Sequence, residues 1–411
     1  MAAIDVPLGG DKLNVGIEST FGTAASVAFA RHVSGSAKPK ISQTEIEMEG
    51  ASARLFQRFT SVQGLKSGDS GIAFTVHGKP ALLLLDSAAT PATPYLGTLL
   101  KAILGTEQSG AGSTVTAGST TTSVNVTPGH GTARFYVGGA VFVEVSNVYY
   151  PCWVTATAAN SITVWPALPG TPAAADDVIN SYTYSASEAN SQSLTIEHTQ
   201  SVPAAASATV QRRLLGCTGS FSMEVSRDQL VTFGFDLKAA DWQYGTLSIA
   251  NSTVGTESMG TPIPVTQGEC YLQAAATTTR TNYALLSLSI KPSPMMEQVK
   301  CVTGGVQGVA GVIRNGGRQS VEFTLRLRAD VAQHTAWSAQ TLYRLAAAFP
   351  SGSGLTKRMV SVLCNQCQIV GVPVESEEGG MLYYDITLKP VLDSALVVDT
   401  AGGAPYSISL T

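Results

Sequence analysis

Cys364-Asn365-Gln366-Cys367 is the one spacing in this 411-residue chain that could hold half of a zinc site or cycle as a dithiol. Neither use is completed elsewhere. No second Cys-x-x-Cys or neighbouring histidine supplies the missing ligands, and on a regular strand residues three apart point to opposite faces. The histidines at 32, 77, 130, 198 and 334 form no His-Glu-x-x-His pair, and the chain has neither a Walker loop nor a Gly-x-Ser-x-Gly elbow. Gly305, Gly308 and Gly311 follow a Gly-x-x-Gly-x-x-Gly spacing, which is not the dinucleotide fingerprint and reads as a flexible arm. The acid pairs Asp176-Asp177 and Glu377-Glu378 fall in predicted turns, whereas a glycosidase needs carboxylates on opposite sides of one cleft. Tyr149, Tyr150, Trp153 and Trp165 could form a sugar-stacking platform or fill a small core. No nucleophile, base and oxyanion donors come together, so the chain reads as a non-enzyme without metal or cofactor.

The elements around these residues are predominantly strands. Period-two alternation marks 71–77, 220–225, 232–238, 286–291, 321–328 and 384–389, each with one apolar and one polar face. Two helices are expected, Tyr95 to Leu104 stopped by Gly105, and about Ala332 to Phe349 stopped by Pro350 and Gly352.

The order of elements occurs twice. Ala37-Lys38-Pro39-Lys40, a long polar arm, the strand through Phe74 and the Tyr95 helix are followed by Leu215-Gly216-Cys217 and a hairpin closing on Leu237-Lys238. Ile290-Lys291-Pro292-Ser293, a Gly/Val arm, the strand through Phe323 and the Trp337 helix are followed by Asn365-Gln366-Cys367 and a hairpin closing on Leu388-Lys389. Within the first copy of this pattern, 109–187 has no counterpart in the second and reads as an inserted small β-domain on linker-like, mobile flanks, facing the exterior. The expected organisation is mainly β: two tandem β-sandwich or barrel folds, each with one flanking helix, at 1–108 with 188–245 and at 246–411, plus the insert.

Charged residues make up 13% of the chain and the net charge is −4, which argues against a sequence-independent grip on nucleic acid. The longest apolar run, Ala81 to Leu85, is far short of the ~20 residues that span a bilayer, so no membrane partner is expected. The first residues, with Asp5 and Asp11, do not read as an export signal, and six scattered cysteines suit a reducing compartment.

Gly16-Ile17-Glu18-Ser19-Thr20-Phe21-Gly22-Thr23 is similar to the Glu-x-Thr-x-Gly-Thr segment that opens many tail tube proteins of long, non-contractile-tailed phages. The later order of Gly-Asp-x-Gly strand, helix, Gly-Cys and hairpin also resembles that family across nearly the whole chain, and the Tyr136 to Val164 pattern resembles the small β-domains that decorate it. The resemblance implies a tail-tube-type fold whose rings stack into a tube carrying double-stranded DNA in transit. It implies a virion-tail location after assembly in the host cytoplasm, with terminator, tape-measure and distal tail proteins as partners. A duplicated chain would close a pseudo-sixfold ring as a trimer.

On this reading the lumen candidates are Glu224, Asp236, Lys238, Glu322, Asp385 and Lys389, and the wall should avoid dense positive charge. Ring-stacking candidates lie in the arms: Thr44, Glu47, Arg54, Phe56 and Arg58 in the first, Met296, Val306 and Arg314 in the second, together with 2–14. Two other readings compete. One is a minor tail component of the same fold, a terminator or distal ring; the other is a surface adhesin whose insert binds a carbohydrate or receptor.

Overall fold

Leu96, Leu99, Leu100 and Ile103 recur at helical spacing and are fully buried, so the Tyr95–Leu104 helix forms by laying one apolar stripe on the sheet core. Lys101 in its last turn faces the negative end of the helix dipole, and Gly105, at φ 97°, ends it. This computed structural model describes residues 11–30, 36–43, 45–46, 62–66, 70–78, 95–186, 192–201, 209–244, 263–265, 268–274, 277–292, 296–301, 305–314, 321–329, 331–352, 357–391 and 404–411. The protein is mainly β, as the alternation predicts.

The first fold contains β1 (Asp11–Ile17), β2 (Ala28–Ala30), β3 (Lys38–Lys40), the short pair β4 (Glu45–Ile46) and β5 (Val62–Gln63), β6 (Gly71–His77), α1 (Tyr95–Leu104) and β7 (Gly105–Gln108). The insert follows with β8 (Ser113–Thr114), β9 (Ser123–Asn125), α2 (His130–Arg134), β10 (Ala140–Val145), β11 (Val148–Ala158), β12 (Ser161–Trp165) and β13 (Asp177–Ile179). The chain returns through β14 (Tyr182–Ala186), β15 (Leu194–Ser201), β16 (Thr209–Ser226), β17 (Thr232–Lys238) and β18 (Asp241–Tyr244). The second fold comprises β19 (Glu269–Ala274), β20 (Leu285–Pro292), the arm hairpin β21 (Met296–Lys300) and β22 (Val309–Arg314), β23 (Val321–Arg328), α3 (Val331–Ser338), β24 (Leu342–Ser351), β25 (Arg358–Glu378), β26 (Met381–Pro390) and β27 (Ser407–Leu410).

The expected helix to Phe349 stops instead at Ser338, and Leu342–Ser351 is a strand. Alanine favours helix in isolation, but here tertiary burial decides. Leu345, Ala347 and Phe349 enter the main core, while Ala346 and Ala348 meet the insert on the opposite face, and β19 and β25 pair with both edges. A strand covered on both faces this closely needs small side chains, which is what the alanine run supplies.

The six-stranded insert, ordered β8-β13-β10-β11-β12-β9, closes on itself through Thr116 N–H to Asn125 O at 2.8 Å and Thr127 N–H to Thr114 O at 3.2 Å. Val141, Val143 and Val145 fill this barrel; Ala140 and Phe142, on the other face of the same strand, pack on the second fold. Its flanks are not linkers. Ser185 and Ala186 belong to β14, which is held between β7 and β27, and Gly110 O accepts from Asn180 Nδ2 at 3.2 Å. Ser187 lies outside the described residues.

The aromatic platform is likewise not exposed. Trp153 and Trp165 are buried against Tyr271, Met359 and Leu363, the Trp165 ring nitrogen donates to Thr277 O at 2.7 Å, and Arg344 lies over the Trp165 ring. Tyr149 is buried in the same cluster, and Arg280 covers Tyr150. Trp165→Ala is expected to cost about 3–5 kcal/mol and to release the insert as a separate unfolding step, read by calorimetry. A single unshifted transition would refute this docking.

Registers expose the duplication more sharply than identities do. β15 and β1 lie on β16 as β24 and β19 lie on β25, and β18 and β17 follow along the other edge of β16 as β27 and β26 do along that of β25. Each long strand bulges just before its cysteine, at Leu215–Gly216 and at Asn365–Gln366, then pairs Thr218 with Lys238 and Gln368 with Lys389. The same registers equate Lys40 with Lys291, so the two Lys-Pro steps are offset by two residues, and Phe323 matches Ile72 rather than Phe74.

The second bulge also corrects the expected geometry of Cys364 and Cys367. The extra residue brings both thiols onto the buried face, where Cys364 Sγ donates to Gln366 O and Cys367 Sγ to Tyr343 O. Among the described residues no group of histidine, cysteine or acid side chains is arranged to hold a metal.

Burial pushes the Cys152 and Cys270 thiols up to about 12 and those of Cys217 and Cys364 well above their ordinary value. These four keep their protons in the fold after the unfolded chain has lost them, so their contribution is intact below about pH 9 and falls as pH rises further. Each removes about 1.4 kcal/mol by one unit above its unfolded value, or about 6 kcal/mol together near pH 10. Burial lowers Lys357, which opposes the trend for one group only. Thermal unfolding between pH 8 and 10 under reducing conditions should show a steep fall, and a flat midpoint would contradict it.

Candidate functional site: a polar sheet face and its two open edges

Eight strands run side by side in the order β3-β6-β17-β16-β20-β23-β26-β25 and curve into a half-barrel. Alternation divides their side chains. Ile72, Phe74, Phe233, Phe235, Leu288, Ile290, Phe323 and Leu325 enter the core, and the intervening residues form one continuous polar, concave face. All six residues proposed from sequence for a lumen, Glu224, Asp236, Lys238, Glu322, Asp385 and Lys389, stand on this face.

Their electrostatics differ between halves. In the second fold Lys389 pairs with Glu322 at 2.9 Å, and Arg326 grips Asp385 through two bonds of 2.7 and 2.9 Å with Glu378 at 3.7 Å. Counting Arg328, three cations face three carboxylates. Among the described residues from β3 to β20, the four lysines Lys38, Lys40, Lys238 and Lys291 share the face with the two carboxylates Asp236 and Glu224. The described part of this face thus holds more cations than carboxylates, although the whole chain stands at −4.

The two folds are joined through this sheet. Met223, Glu224, Val225 and Ser226 of β16 pair with Ile290, Leu288 and the intervening and following serines of β20. Among the described residues nothing pairs with the outer edge of β3, nor with the corresponding edge of β25 beyond Gln368. There Val370, Val372, Val374, Met381 and Leu382 are 41–61% exposed. The first-fold counterpart of this edge is covered by β20, so these apolar groups mark where the equivalent strand is missing. Pro373, a residue tolerated at sheet edges, limits how far a ladder could extend here.

Glu18, quoted above only as part of a motif, is a buried anchor. Its carboxylate accepts from Ser193 Oγ at 2.5 Å, Gly22 N–H at 2.8 Å, Gly216 N–H at 2.9 Å and Thr195 Oγ1 at 3.0 Å, tying the opening turn to β15 and to the β16 bulge. Gly216 stands at φ 62°, and a Cβ there would lie 2.8 Å from Ala240 and 2.9 Å from Phe21. The motif is therefore a closure between three segments.

Thr44, Glu47, Arg54, Phe56, Arg58 and residues 2–10 lie outside the described residues. Residues 11–14 are not an arm but the start of β1, with Leu13 fully buried. The second arm folds back on its own chain. Met296 is buried, Val306 sits against Gly22, and Gln298 Nε2 donates to Gly216 O at 3.4 Å and Lys238 O at 3.3 Å. Met296 and Val306 are thus occupied within the chain; Arg314 ends β22 opposite Met296.

Sequence reasoning passed over Lys38, Lys40 and Lys291 as punctuation, although two lysines at period two, 38 and 40, already place both on one strand face. It also passed over Val370-x-Val372-x-Val374, whose interleaved glycine and proline signal an edge. No family model matches the chain, and no curated protein compared with it matches either.

Proposed function

We propose that the chain is a structural subunit that joins copies of itself, edge to edge, into rings that stack into a tube. Its concave faces line a lumen, and the tube is the kind built by tail tube proteins of long, non-contractile-tailed phages, a conduit for double-stranded DNA. The observation that carries this reading is the β16–β20 joint between the halves, with the same two edges left open at β3 and β25. A strand order repeated by duplication repeats its joint, so the open edge of β25 fits the β3 edge of a second copy, and head-to-tail pairing must close into a ring or run on as a filament. Three copies would give six similar sectors. Other partners follow from the assembly: a terminator, a tape-measure protein and a distal tail protein.

Negative-stain imaging of the concentrated recombinant protein tests it. Tubes with a central channel and threefold or pseudo-sixfold end views are expected. Rings that never stack would favour a terminator or distal ring, and a monodisperse monomer would overturn the reading.

A further inference from the structure

We propose that the β3-to-β20 half of the concave face is a phosphate-backbone site whose ligand is a double-stranded nucleic acid. Its position around a lumen rests on the ring reading; the site itself is built within one chain. A groove of about 530 Å³ crosses these strands, with Lys38 on one wall, Lys291 on the other, and Thr75, Ser220, Ser222 and Asp236 between them. Its floor is kept low by Ala73 and Gly234, and a Cβ at Gly234 would meet Ser222 Oγ at 2.8 Å. The lysine-bearing strands are four strand spacings apart, ~19 Å, a width that suits a duplex laid across the sheet rather than a small anion.

Charge complementarity selects the ligand. Among the described residues no ion pair holds Lys38, Lys238 or Lys291, although Lys291 stands opposite Glu322 in the register, a carboxylate taken up by Lys389; Arg326 of the second fold is likewise neutralised by Asp385 and Glu378. Serine and threonine hydroxyls on the floor add donors for phosphate oxygens. Asp236, in the middle of the cluster, repels the same phosphates and keeps each contact weak, as a surface past which a polyanion moves requires. Around a closed ring, cationic sectors would alternate with neutral ones, so a backbone that repeats six times would carry a field that repeats three times.

The test is fluorescence anisotropy of a labelled DNA duplex with the purified protein at 50 and 200 mM salt. Three released counterions predict roughly 40-fold weaker binding at the higher salt. Lys238→Gln with Lys291→Gln, which leaves the β3 and β25 edges untouched, should abolish most of this binding and flatten the salt slope. Lys389→Gln with Glu322→Gln, which removes that ion pair without freeing a carboxylate beside Lys291, should change it less than twofold, and Asp236→Asn should tighten it. Equal losses from the Lys389→Gln, Glu322→Gln pair and from the Lys238→Gln, Lys291→Gln pair, or displacement of the duplex by single strands or heparin at equal charge, would overturn the assignment. Negative-stain imaging of the same preparations separates the two readings: duplex binding without rings removes the ring reading alone, and rings without duplex binding remove this site alone.

Discussion

Val374→Lys is expected to leave a folded monomer that needs about tenfold higher concentration to form rings. Laying one fold on the other through their bulges places Val374 where Ser222 stands and Lys40 where Lys291 stands. Ser222 faces Lys291, one step from the Met223–Ile290 pair, so Val374 of one copy would face Lys40 of the next. A lysine there sets like charges directly opposite one another and removes an apolar contact, about 1 kcal/mol at each joint. With three such joints in the proposed ring, this makes about 3 kcal/mol, or roughly a hundredfold in the assembly constant. Val374 is 61% exposed within the chain, so the unfolding midpoint should move little. Val374→Glu is the matched control: it is also polar but faces a lysine, and rings should persist. Sedimentation velocity with imaging reads both variants. Rings formed equally by both, or by neither, would sink the proposed register.

Glu18→Gln is expected to cost about 2–3 kcal/mol despite its near-identical shape. Each carboxylate oxygen accepts from one hydroxyl and one backbone N–H: Ser193 and Gly22 on one side, Thr195 and Gly216 on the other. An amide turns one of those acceptors into a donor, so a buried N–H of Gly22 or Gly216 loses its partner whichever way the amide is flipped. Because the site closes the opening turn onto the β16 bulge, the loss should appear in the global denaturant midpoint and in faster hydrogen exchange at both glycines. A change under 0.5 kcal/mol would show that the turn is not a closure.

What the sequence disclosed, and what it hid, divides by range. Strands 71–77, 232–238 and 321–328 were legible because one polar and one apolar face alternate without interruption. The α1 stripe was legible for the same reason at helical period. Leu342–Ser351 was not, because its alanines report how crowded both faces are, and that crowding comes from an insert about 190 residues earlier. Nor was the shared face of Cys364 and Cys367, since a bulge is one extra residue measured against a partner strand. The polar face was recoverable strand by strand, which is why the six lumen candidates fell on it. The charge balance of that face was not, because it depends on which strands lie next to one another.

The joint inside the chain also bears on how assembly begins. Where β16 meets β20 the two edges belong to one chain, joined through residues 227–284, so their meeting is intramolecular whatever the protein concentration. In a ring of three chains half of the joints would form during folding, without a bimolecular encounter and without its loss of translational freedom. The remaining joints alone would depend on concentration, so the onset of assembly should follow the third power of subunit concentration, where an unduplicated subunit would follow the sixth. Duplication would thus broaden the range of expression levels over which complete rings outnumber partial ones.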